Sequence, residues 1–88
     1  MHPYTDIAEG SSWVVREFKQ DIDPIELMWH RDDEDRELEL IEGSDWKIQL
    51  EDSLPIDLTK STRINIKKHE WHRLIKGSDS LIVKIHKF

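Results

Sequence analysis

The chain has 88 residues, no cysteine and a formal net charge of −6 at neutral pH. That length leaves room for one domain, the missing thiols exclude a disulfide framework and a thiolate metal site, and the acidic balance argues against a protein that tracks nucleic-acid phosphates. Apolar and charged residues each make up 36%, so the core is thin and the four tryptophans must carry much of it, since each aromatic can bury about 150–250 Å².

In chain order, residues 1–11 contain Pro3, Gly10 and Ser11 and show no periodicity. They read as a loose arm, or as an arm that adds a strand to a neighbour, ahead of one domain over 12–88. "SWVVREFKQ" is rich in β-branched and aromatic residues and reads as a strand, and "DIDP" as a turn. "IELMWHRD" alternates, with Met28, His30 and Asp32 on one face and Leu27, Trp29 and Arg31 on the other. "DDED" is too charged to bury and is a loop or a solvated strand end.

"RELELIEG" puts Leu38 and Leu40 on one side and Glu37 and Glu39 on the other, and "GSD" follows as a turn. "WKIQLED" is the cleanest alternation, with Trp46, Ile48 and Leu50 inward. "SLPIDLTKST" holds Pro55 and reads as an edge segment or wide turn. "RINIKK" turns Ile64 and Ile66 inward, and "EWHRLIKG" sets His72 and Leu74 on one face with Trp71, Arg73 and Ile75 on the other. A second "GSD" turns the chain into "SLIVKIHKF", with Leu81, Val83 and Ile85 inward. No window keeps helical spacing for three turns. About seven to eight short strands with short loops predict an all-β antiparallel sandwich or barrel.

The tripeptide Trp-His-Arg occurs twice, at 29–31 and 71–73. If both histidines face the interior, His30 and Asp32 share one side of a strand, and His72 comes from another. Two histidines and a carboxylate suit a divalent ion such as Fe, Mn, Ni or Zn and leave positions open for water or substrate. Met28 and Leu74 share those faces and would line the same pocket. The ordinary alternative is a pair of barrel histidines hydrogen-bonded to their neighbours. His2, His69 and His86 read as terminal or solvated. Trp29 and Trp71 fall on the outer face, where a partner subunit or the covering arm would shield them. A homodimer is therefore expected.

"MWHRDDEDRELELIEG" followed by "LTKSTRINIKKHEWHRLIKG" resembles the two sequence blocks of the cupins, in a small single-domain version. The resemblance covers about residues 25–85. It implies a jelly-roll, or double-stranded β-helix, barrel, in many members holding one metal ion. The first block of that family carries His-x-His, then Glu, then Gly; His30, Asp32, Arg36 and Gly43 stand there. In the second block His72 matches, whereas Ser61, Lys67 and His69 replace Gly, Pro and Gly, and Lys76 replaces Asn.

Asp32 is a chemically sound replacement for a ligand. Arg36 is not, because a guanidinium stays protonated and has no lone pair to give. Bringing Glu37 inward instead would turn Leu38 and Leu40 outward. An inward Arg36 opens a second reading, a metal-free pocket for a small polar or anionic molecule, with Arg36 as the anion contact. A third, an Fe(II)- and 2-oxoglutarate-type dioxygenase, shares the His-x-Asp…His pattern. It meets a short chain and Ile82 where that family usually has Arg. The sequence shows no P-loop, dinucleotide fingerprint or credible nucleophile. It has no run of about 20 apolar residues and no leader pattern in "MHPYTDIAEGSSW", so a cytoplasmic location without membrane contact is expected.

Overall fold

The computed structural model describes residues 4–23 and 27–88. His2 and the end of the expected "DIDP" turn at Pro24 lie outside them. Eight strands are described: β1 (Thr5–Glu9), β2 (Trp13–Phe18), β3 (Arg36–Glu42), β4 (Lys47–Leu50), β5 (Ile56–Asp57), β6 (Arg63–Ile66), β7 (His72–Ile75) and β8 (Leu81–Lys87). All pair antiparallel, in a five-stranded sheet ordered β1-β2-β8-β3-β6 and a three-stranded sheet ordered β5-β4-β7. Sheet neighbours far apart in sequence, such as β3 with β8, make this a jelly roll rather than a meander.

Alternation sets what faces inward. Val14 and Phe18, Leu38 and Leu40, Ile64 and Ile66, and Leu81, Val83 and Ile85 line the large sheet. Trp46, Ile48 and Leu58 answer from the small one, and all belong to one buried cluster. The Phe18 and Trp46 rings meet across the two sheets at 6.3 Å. Trp46 reconciles its polar edge with burial by donating Nε1–H to the Asp79 carbonyl at 2.7 Å. Its burial alone contributes about 4–6 kcal/mol as an upper figure.

The two Gly-Ser-Asp turns pack on each other. Ser44 N donates to Asp79 Oδ1 at 2.6 Å, Ser78 N to the Ser44 carbonyl at 3.1 Å, and Ser78 Oγ to Asp45 Oδ2 at 2.9 Å. Gly77 is required here, since a Cβ would sit 2.2 Å from the Ser44 carbonyl oxygen. His69, standing where the cupin-like pattern has Gly, takes φ 65°. It occupies the left-handed region that glycine tolerates best.

Two elements differ from the sequence reading. Residues 5–9 of the expected arm form β1 on β2 of the same chain, with a bulge between Asp6 and Ala8. Of the expected strand "IELMWHRD", residues 27–32 are described, and among them only His30 bridges, to His72. The carbonyls on either side are taken elsewhere, that of Met28 by the His30 ring and that of Asp32 by His69 N. This local competition stops the ladder from extending. Leu27 is buried and Met28 is 60% exposed, the reverse of the expected faces.

Candidate metal centre

His30 N donates to the His72 carbonyl at 3.0 Å, and His72 N to the His30 carbonyl at 2.9 Å. This antiparallel bridge places the two Trp-His-Arg stretches directly opposite each other and brings the imidazoles together, ring centroids 4.2 Å apart. On the outer side the pairing is reciprocal. The Arg73 guanidinium lies over the Trp29 ring and that of Arg31 over Trp71, each at 5.1 Å. The half-exposed tryptophans are thus covered in part by the chain's own arginines. Trp29 also borders the cavity described below.

Each histidine ring is oriented by the carbonyl two residues before it. His30 Nδ1 donates to the Met28 carbonyl at 3.2 Å and His72 Nδ1 to the Glu70 carbonyl at 2.9 Å. A carbonyl only accepts, so Nδ1 carries the proton and the neutral ring keeps the Nε2 lone pair free. That second hydrogen bond is the usual way a ligand imidazole is held. Asp32 completes the group: His30, Asp32 and His72 offer ligand atoms all within 4.8 Å of one another. Donors about 2.1 Å from a shared ion lie about 3–3.4 Å apart, so the group would close by about an ångström on taking up an ion.

The Asp32 carboxylate is divided between two tasks. Oδ1 lies 3.4 Å from Arg36 Nη1. Oδ2 is buried 3.2 Å from His72 Nε2 but not in hydrogen-bonding alignment, and accepts no hydrogen bond among the described residues. A buried carboxylate oxygen without a donor, facing a lone pair, is costly. A cation between them removes the cost, so the residues fit a divalent metal. Burial alone would push the Asp32 carboxyl up; His72, when its ring also carries a proton on Nε2, and the Arg36 charge outweigh it and hold it below its ordinary value. Burial, then the neighbouring His72, lowers the pKa of His30. Both effects favour the ligand forms, carboxylate and neutral imidazole.

Arg36 faces inward but does not stand as a bare positive charge. Besides Asp32, it reaches Glu34, to whose Oε1 it donates from Nη2 at 3.3 Å. Its charge is met by two carboxylates. Glu37 stays outward, bound by Arg63 at 2.9 Å.

A cavity of about 340 Å³ opens beside the centre. All three residues expected at a pocket are on its wall, with Arg36 and Leu74 inside and the exposed Met28 at its edge. Arg16 is a lining residue that the sequence reading missed. It lies between Val14 and Phe18 on the inward face of β2, pairs with Asp6 at 2.7 Å, and covers the Tyr4 ring at 3.7 Å. The signal was available, as a charge flanked by core positions at period two is informative.

No protein-family model matches the sequence, and no curated protein does. Solved structures do. These matches show the fold: the chain is a small domain with the double-stranded β-helix, or cupin, fold. It is similar to an RmlC-like cupin family protein from Methanocaldococcus jannaschii, with TM-score 0.68 and 16% identity over 96% of this chain and 76% of that one. It is also similar to the Fe(II) form of HppE, with TM-score 0.66 and 19% identity over 97% of this chain. A third is hydroxypropylphosphonic acid epoxidase from S. wedmorenis, with TM-score 0.65 and 17% identity. The chain spans 48% and 49% of the length of the last two. No helix among the described residues is long and apolar enough to cross a membrane.

Proposed function

We propose that this barrel holds one divalent metal ion between His30, Asp32 and His72 and presents it to a small ligand in the adjoining cavity. The observation that carries this is the buried Asp32 Oδ2, without a hydrogen-bond donor and 3.2 Å from a histidine nitrogen whose proton is on its other side. The Fe(II) and Co(II) forms among the similar HppE structures support a divalent ion on this scaffold. An ion bound there would act as a Lewis acid toward a ligand oxygen. The protein's own part is to hold both imidazoles by Nδ1 and keep the carboxylate charged through Arg36.

The test is elemental analysis of untagged protein after exposure to Fe(II), Mn(II), Ni(II) or Zn(II) and removal of excess. One equivalent is expected in the wild type and less than a tenth of that in His72→Ala, with unchanged β-sheet circular dichroism. Equal metal in both proteins would overturn the assignment. Bound metal should also raise the melting temperature, because an ion that binds only the folded chain stabilises it.

A further inference from the structure

The cavity wall joins two unlike surfaces. Most of it is hydrocarbon, including Leu38, Ile48, Ile66, Val83 and Ile85. At one place it is charged, where Arg36 adjoins the His30–Asp32–His72 group. The Arg36 side chain is 15% exposed, and its Nε is buried and donates to nothing among the described residues. A buried guanidinium N–H without an acceptor has the same problem as a buried carboxylate oxygen without a donor, with the sign reversed. One asks for a cation; the other asks for an anion or another acceptor.

The charges decide between those two. Asp6 offsets Arg16 at the far wall. Asp32 and Glu34 together exceed Arg36 by one negative charge. A dication held by neutral imidazoles reverses that, leaving one positive charge in excess in a largely apolar enclosure. A single negative charge neutralises the site. A dianion would leave an unbalanced charge in low dielectric, which is costly. A neutral molecule leaves the excess charge uncompensated.

We propose that the cavity binds a small carboxylic acid with a hydrocarbon body, its carboxylate taken by Arg36 beside the metal centre and its chain against Leu38, Ile48, Val83 and Ile85. The proposal rests on the metal reading, because without the ion the charge sum is negative and repels the same ligand.

Three probes of equal chain length separate the possibilities: hexanoate, hexylphosphonate and hexanol, titrated calorimetrically into the full chain, metal-loaded or metal-free. The loaded protein should bind hexanoate at least about tenfold more tightly than either other probe, since a hydrogen bond to a charged group is worth about that factor. The metal-free protein should lose this preference. Arg36→Lys keeps the charge beside Asp32 but loses the planar donor; it should retain metal and lose most of the preference for hexanoate. Equal binding of hexanol, tighter binding of hexylphosphonate, or an undiminished preference in metal-loaded Arg36→Lys would each overturn the carboxylate assignment while leaving the metal reading intact. A wild-type chain that takes up no metal overturns both.

Discussion

At His30 and His72 the same local device appears twice. Each ring donates its Nδ1–H to the carbonyl two residues earlier, so a contact within three residues of the chain favours this tautomer. His30 carries a pH dependence that follows from its surroundings. Burial and then His72 lower its pKa from the ordinary 6.5, so as pH falls the unfolded chain takes up this proton before the folded one does. Its neutral form therefore supports the fold fully above about pH 6.5, and that support is lost as the pH falls toward the lowered value. The melting temperature of metal-free protein should drop across that interval, and the drop should be smaller in His30→Gln. An identical pH profile for the two proteins would show that His30 does not carry it. Of the proposed ligand set, His72 was readable, because alternation in β7 puts it on the face of Leu74, whereas the approach of His30 and Asp32 rests on one bridge and not on the strand their alternation suggests. The bonds of Arg36 to Asp32 and Glu34 were not readable, because they depend on how the charged loop over 32–35 folds back, which period-two patterning does not encode.

Between elements, both short repeats pair with their own copies. Trp-His-Arg meets Trp-His-Arg across the His30–His72 bridge, and Gly-Ser-Asp meets Gly-Ser-Asp through Ser44, Ser78 and Asp79. Antiparallel pairing about a central residue turns the order Trp-His-Arg into two crossed tryptophan–arginine contacts. A double-mutant cycle on Trp29→Ala and Arg73→Ala, read by denaturant unfolding, should give a coupling of about 0.5–1 kcal/mol, the range for a cation–π contact near the surface. Additive losses would remove the pair from the account. The repeats were visible in the sequence, but their mutual pairing was not. Strand register is fixed by the whole sheet, and the stretch around His30 contributes one bridge instead of the strand its alternation suggests.

For the molecule as a whole, the inward faces of β3, β4, β6 and β8 follow directly from alternation, and two sheets closing over them give the barrel. A domain of this length has roughly 4–13 kcal/mol of stability in hand. Ile48 is 1% exposed and belongs to the inner cluster. Ile48→Asp places an unpaired charge there and should leave the chain unfolded at 25 °C by near-ultraviolet circular dichroism. A native spectrum from that variant would mean that the inner layer of β4 is not the one described.

The spacing of the two imidazoles is set by reciprocal amide–carbonyl bonds between residues 30 and 72. Main-chain bonds of that kind do not change when side chains do. Substitutions at Leu38, Val83 or Ile85 would therefore reshape the chamber while the two rings keep their separation. On the proposed function, the choice of guest would be uncoupled from the geometry of the metal-holding pair.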